Sequence, residues 1–205
     1  MNRRKFLYTS MALAGLPVLS SFGQQLLQAQ VPLDDVIEAY KSQECPEWCW
    51  AASISMIFAL YGHPTDQQRV AATLYGTPPP CATGQPNGIL TLLNRMWTDD
   101  DGNKFTCRTT AMFNTFAGVD NMTPRRVIDS LKGGDPLLLC TTHHAMVLTE
   151  VRYFNTLQGP ILREMGVADP WPGNGLRSLN NAEGTKTWAG GQLTILAGLR
   201  VRDSE

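Results

Sequence analysis

The feature that most constrains the fold of this sequence is a segment, residues 49–61, that is apolar on nearly every side. It is rich in Ala, Met, Ile, Leu and Phe, and it stops at Gly62, His63 and Pro64. A helix that is hydrophobic all round has to be buried, and glycine followed by proline is a typical helix end. The pattern therefore predicts a buried helix over residues 49–61, around which the rest of the chain must pack.

Cap and stop residues predict three further helices, all before residue 133. One of them starts with a threonine cap and a proline, Thr123 and Pro124. The second half differs, because it consists of apolar and β-branched runs separated by turn residues. The predicted helices cover residues 65–74, 87–97 and 125–132; the predicted strands cover residues 136–142, 144–154, 161–168 and 192–201, with a further candidate at 104–109.

Helices first and strands afterwards predict an α+β fold with segregated layers. The length of 205 residues fits one domain. We expect a mainly helical half over residues 30–135, packed on a mainly antiparallel β half over residues 136–205. Lys and Arg total 17 and Asp and Glu total 18, so the charge balance argues against a nucleic-acid-binding protein.

The first residues have the composition of an export signal. Arg3 and Arg4 stand before a modest apolar run, residues 6–19, that is too short to span a bilayer comfortably. The paired arginines resemble a twin-arginine signal. We predict removal of residues 1–29, with cleavage after Gly23 or Ala29 and a preference for Ala29. The rest carries 14 basic and 18 acidic residues, a net charge of −4, and we expect a periplasmic or extracellular monomer without a membrane anchor.

The start of the buried helix carries the first candidate for catalysis, Cys49. A thiol at a helix N-terminus lies near the positive end of the helix dipole and near unpaired backbone N–H groups, and both favour the thiolate. The same N–H groups can bind a developing oxyanion, and so can the side-chain amide of Gln43, six residues upstream. Cysteine catalysis also requires a base that accepts the thiol proton.

The base can be narrowed down because the sequence has three histidines. His63 lies at the far end of the predicted helix, about 20 Å from Cys49, and is out of reach. His143 and His144 begin a predicted strand and point to opposite faces of it, so only one of them can meet Cys49. The periodicity of the strand does not decide which.

A third group usually holds the ring of a catalytic histidine. Asp169 follows the predicted strand at residues 161–168 and precedes a tight turn. A carboxylate at that strand end can accept the Nδ1–H of the histidine, and Trp171, two residues on, can shield this hydrogen bond from water. Asp169 followed by proline is also a common way to start a turn.

These residues together resemble the papain-like cysteine peptidases, most of all the short secreted bacterial type such as staphopains and the avirulence-type peptidases. In that family a glutamine precedes the catalytic cysteine by six residues, and an aromatic and small residues follow it, as Gln43, Cys49 and Trp50 do here. The family's His-Ala-Val strand is similar to residues 144–147 and selects His144 over His143. The resemblance covers roughly residues 43–171, and its Asn or Asp motif is matched more loosely, by Asp169, Pro170 and Trp171.

The resemblance implies a papain-like fold and a thiol endopeptidase with a Cys49, His144 and Asp169 triad. It implies an oxyanion hole formed by Gln43 and the Cys49 N–H, and no cofactor or metal. His143, Trp50 and Trp171 would support the site, and the substrate would be a peptide or protein. The sequence departs from the family in the 95 residues between Cys49 and His144, which is a short spacing, and in having no room for a folded propeptide.

The four other cysteines suit an oxidising compartment and allow three pairings. The resemblance implies a Cys45–Cys81 disulfide, which leaves Cys107 and Cys140 as a second candidate pair or as two free thiols.

Other functions stay open on the sequence. Cys49 can be an ordinary buried thiol, or Cys45 and Cys49 can bind zinc with His143 or His144. The same triad serves amidases and transglutaminase-like acyl transfer. An exported binding protein that kept a peptidase scaffold without activity is a further alternative.

Overall fold

A computed structural model describes residues 25–204 of the protein. It is a mixed α and β structure in which every pairing between named strands is antiparallel, as the predicted α+β class requires. The helices are α1 (Leu33–Ala39), α2 (Cys49–Leu60), α3 (Gln67–Tyr75), α4 (Pro86–Leu92), α5 (Pro124–Lys132) and α6 (Asn181–Gly184). The strands are β1 (Leu27–Gln30), β2 (Met96–Thr98), β3 (Lys104–Asn114), β4 (Val119–Asp120), β5 (Leu137–Thr141), β6 (Ala145–Thr156), β7 (Gly159–Asp169), β8 (Gly175–Ser178) and β9 (Leu193–Asp203).

One sheet carries all these strands in the order β2-β3-β9-β5-β6-β7-β8, with β1 added to β6 and β4 to β3. Helix α2 packs on β5 and β6, in the middle of the sheet. All nine residues of α2 from Trp50 to Phe58 are buried, which confirms the predicted buried helix. Gly62 follows its end with a φ of 81°, a left-handed conformation that glycine adopts readily.

Two other helices differ from prediction at their ends. Helix α3 is capped by Asp66, whose side chain accepts the Gln68 N–H, and not by Thr65, which is buried. Helix α4 ends at Leu92, five residues before the predicted end at Trp97. The reason is tertiary, because Trp97 lies in β2 and pairs with Phe105 of β3.

The predicted helical half and the predicted β half are not separate in the structure. Strand β3 lies in the predicted helical half, yet it is eleven residues long and pairs with the C-terminal strand β9. The sheet therefore takes strands from both halves of the chain. The core lies between this sheet and the buried faces of the helices, with Leu137 and Leu138 of β5 and Phe58 of α2 fully buried.

The folded domain begins earlier than the predicted boundary at residue 30. Strand β1 pairs with β6, and Ala29 is buried opposite Val151. A cut after Ala29 would remove three of the four residues of β1, so that position divides a strand of the sheet. Residues 1–24 of the predicted signal, including Gly23, lie outside the described residues. No helix between residues 25 and 204 is long and apolar enough to cross a membrane.

Candidate active site

Cys49 is the first residue of α2 and is partly buried. Its backbone N–H finds no hydrogen-bond acceptor within residues 25–204, as expected for the first turn of a helix. The loop before it turns sharply, since the Trp48 N–H donates to the Cys45 carbonyl at 3.0 Å. Cys49 therefore presents both a thiol and an unpaired N–H at the start of a buried helix.

The segment at residues 80–84 is fixed against this loop. A disulfide joins Cys45 to Cys81, the pair that the family resemblance implies. The indole N–H groups of Trp48 and Trp50 donate to the carbonyls of Pro80 and Ala82 at 3.0 and 3.1 Å. These three links hold the segment beside the start of α2.

His144 closes the turn between β5 and β6. The Thr141 side chain accepts the His144 N–H at 3.1 Å, and the Thr141 N–H donates to the His144 carbonyl at 2.7 Å. The imidazole lines the same cleft as Cys49 and lies close enough to it for Cys49 to influence the pKa of His144. Its Nε2 lies 2.6 Å from Oδ1 of Asp169, so Nδ1 is the nitrogen left for the thiol. The prediction that Asp169 would accept from Nδ1 is therefore wrong, because the ring is oriented the other way round.

His143 does not take this place. It is exposed, lines the cleft in front of Cys49, and has no side-chain hydrogen bond among the described residues. The prediction that the two histidines begin a strand and are separated by its geometry is wrong, because β6 begins at Ala145 and both residues lie in the turn before it. This turn places His144, and not His143, beside Asp169.

Asp169 is a buried carboxylate with four hydrogen-bond donors around it. Burial alone would favour its neutral form, but the hydrogen bonds, led by that from His144, hold the pKa of Asp169 well below its usual range. The same arrangement acts on His144: burial alone would lower its pKa, while the hydrogen bond with Asp169, the neighbouring Cys49 and the charges of both residues raise the pKa of His144 to about 9. At neutral pH the pair is thus a carboxylate and an imidazolium. The other three donors are the Trp171 N–H at 2.9 Å, Asn174 Nδ2 at 2.9 Å and Arg177 Nε at 2.7 Å.

Arg177 and Glu183 form a supporting layer that the sequence interpretation missed. The two terminal nitrogens of Arg177 donate to the two Glu183 oxygens at 3.0 and 2.7 Å. The only feature of the sequence that could have pointed to Arg177 is the predicted hairpin, because glycine and asparagine in residues 170–175 are typical of a turn that reverses the chain. After this turn, β8 pairs with β7 and places Arg177 opposite Val167, near the end of β7.

Gln43 does not extend its amide into the cleft. Its Nε2 donates to the carbonyls of Cys45 at 3.0 Å and Pro46 at 2.7 Å, while its Oε1 is buried without a partner among the described residues. Both amide hydrogens are therefore engaged by the loop before α2. The predicted oxyanion contact of Gln43 requires the exchange of one of these bonds.

A cleft of about 320 Å³ lies in front of Cys49 and His144. Trp171 lines it, with its ring centroid 6.3 Å from that of His144 and nearly perpendicular to it. Trp50 of α2 also lines the cleft and is buried. The two predicted supporting tryptophans thus both lie at the cleft that contains Cys49 and His144.

Cys107 and Cys140 are free thiols and not a second disulfide. They lie opposite Val201 and Ile195 of β9, six positions apart on that strand and on its two sides. That offset is about 20 Å along the strand, far beyond the Cα separation that a disulfide allows. Burial raises the pKa of both thiols to about 12, with the charge of Cys49 adding to the effect at Cys140, and this keeps them protonated.

The zinc alternative loses one of its ligands, since the sulfur of Cys45 is bonded to Cys81. Within residues 25–204 no group of three or more His, Cys, Asp or Glu side chains is arranged to hold a metal ion.

No model of a known protein family matches this chain, and no curated protein matches its sequence. Function is therefore inferred from the residues of this chain itself.

Proposed function

We propose that this protein is a papain-like cysteine peptidase that hydrolyses peptide bonds through Cys49, His144 and Asp169. One observation carries the proposal: a thiol at the start of a buried helix shares a cleft with an imidazole whose Nε2 lies 2.6 Å from the oxygen of a buried carboxylate. The packing of that helix against an antiparallel sheet also suits the family.

His144 takes the proton of Cys49, and Asp169 stabilises the imidazolium that forms. The thiolate attacks the carbonyl carbon of the scissile bond and forms a C–S bond while the carbonyl oxygen becomes negative. The Cys49 N–H, which has no acceptor among the described residues, is placed to stabilise this oxyanion. Gln43 joins it only after it gives up one carbonyl of the preceding loop.

Collapse of the tetrahedral species breaks the C–N bond, and the His144 proton goes to the leaving amine. A thioester between Cys49 and the acyl part of the substrate remains. Water then attacks the thioester, His144 accepts one of its protons, and the acid leaves as the Cys49 thiolate is restored. Asp169 keeps the ring oriented throughout and does not itself exchange a proton.

Export is part of the same proposal, through the twin-arginine-like signal and to the periplasm or beyond. The Cys45–Cys81 disulfide supports it, because such bonds persist in oxidising compartments. We further propose a monomer without a membrane anchor that acts on peptide or protein substrates without a cofactor.

The test treats the purified protein with a peptidyl epoxide directed at papain-like enzymes, and peptide mass spectrometry locates the adduct. We expect labelling of Cys49 alone, lost in His144→Ala and retained in the matched control His143→Ala. Turnover of a generic protein substrate is measured in parallel. Labelling without turnover but with incorporation of an added amine would instead indicate a transferase. No labelling of the folded, reduced protein would refute the peptidase and favour an inactive binding protein.

A further inference from the structure

The residues that line the cleft come from two sides. The helix side consists of residues 46, 47, 49 and 50 with 83, 84 and 89, and the sheet side consists of residues 140–145 with Trp171. Among the described residues that line the cleft, Glu47 is the one carboxylate, and no lysine or arginine is present. The other titratable side chains are the thiols of Cys49 and Cys140 and the imidazoles of His143 and His144, both of which lie on the sheet side.

Glu47 is available to a ligand. It is exposed and forms no hydrogen bond or ion pair with the described residues. The rest of its wall is fixed by the Cys45–Cys81 disulfide and by the indole hydrogen bonds to residues 80 and 82. Gly84 packs directly against Trp50 in the same wall, since a Cβ at this position would come within 2.6 Å of the indole ring.

The proposed reaction fixes which part of a substrate meets this wall. His144 has to reach the leaving amine, so the amine side of the scissile bond lies at the sheet side of the cleft. The acyl side then extends toward the helix side, where Glu47 lies two residues before Cys49 and its Cα is at most about 7 Å from that of Cys49. A long side chain on the acyl residue can therefore approach the Glu47 carboxylate.

We infer that this enzyme cleaves after lysine or arginine, with Glu47 as the residue that selects the positive charge. The inference rests on the proposed peptidase function and adds the substrate class. On the helix side a basic side chain meets an unpaired carboxylate and no cationic side chain, since the imidazolium of His144 lies on the sheet side. An acidic side chain at the same position meets repulsion from Glu47. The pair remains partly solvated, so we expect selectivity of about fivefold and not of several orders of magnitude.

The test compares three tripeptidyl chloromethyl ketones that differ in the acyl residue, which is lysine, norleucine or glutamate. The thiolate displaces chloride in each, so the rate of Cys49 labelling reports binding at this position without requiring turnover. Lysine and norleucine have side chains of similar shape and differ in charge. We expect lysine to react about fivefold faster than norleucine, and glutamate to react slowest.

Glu47→Gln should bring the rate of the lysine reagent down to that of the norleucine reagent, and Glu47→Lys should invert the order of lysine and glutamate. Glu38→Gln is the control of equal net charge: Glu38 is exposed and lies beside Ala59 and Leu60, about 15 Å along α2 from Cys49. Equal rates for the three reagents in the wild type, or an unchanged preference in Glu47→Gln, would overturn the role of Glu47 while leaving the peptidase intact. Failure of all three reagents to label Cys49 would defeat the proposed function itself.

Discussion

Replacement of Arg177 by methionine tests whether the charged layer behind Asp169 stabilises the site. Arg177 donates to Asp169 at 2.7 Å and to both oxygens of Glu183, and its side chain is 26% exposed. Asp169 is fully buried and Glu183 is 13% exposed, so the variant leaves two carboxylates without their cation.

The magnitude follows from this burial. Removal of one partner of a fully buried ion pair costs about 3–5 kcal/mol, chiefly because the remaining charge stays desolvated. Arg177 is partly solvated and Asp169 retains three donors, so we expect a loss of about 2–3 kcal/mol in the free energy of unfolding, below the range for a fully buried pair.

The assay is urea unfolding followed by tryptophan fluorescence, performed in a Cys49→Ser background to avoid thiol chemistry. Arg125→Met, at an exposed arginine without a partner among the described residues, is the matched control and should change stability by less than about 0.5 kcal/mol. Adding Glu183→Gln to Arg177→Met should recover part of the loss, because it removes one of the unpaired charges. An Arg177→Met variant as stable as Arg125→Met would refute the stabilising role of the layer.

Three further outcomes are expected. Because the pKa of His144 is raised to about 9, its imidazolium persists below that pH and is lost above it, so kcat/KM should fall as pH rises through about 9. Asp169→Asn should move this fall in kcat/KM to lower pH, and a fall at an unchanged pH would contradict the assignment. Replacement of both Cys45 and Cys81 by serine opens a loop of 36 residues and should lower the free energy of unfolding in urea by about 3–4 kcal/mol. As a control, a reductant added to this double variant should not change its stability further. Gly84→Ala brings a Cβ within 2.6 Å of the Trp50 ring and should lower stability by about 1–3 kcal/mol in thermal unfolding; an unchanged Tm would mean that the segment moves freely.

Local composition predicted the elements whose own residues determine them. The apolar run of α2 has no polar face to expose, so burial follows from the sequence alone. Thr123 caps α5 by accepting the Arg126 N–H, as the threonine and proline pair indicated. The short elements β1, β2 and α1 were missed, because four, three and seven residues carry too little periodicity to be recognised.

The same distinction between local and distant residues holds for the candidate site. The sequence alone indicated Cys49, because its chemistry depends on a helix start encoded by the residues next to it. The structure also showed that the Gln43 amide is engaged by its own loop. It decided what comes from distant strands: that Nε2 of His144 faces Asp169 and that Arg177 supports Asp169. These contacts depend on the register of β6, β7 and β8 and on the position of the turn at residues 141–144. Register is set by the packing of the whole sheet, and for that reason no local pattern in the sequence reports it.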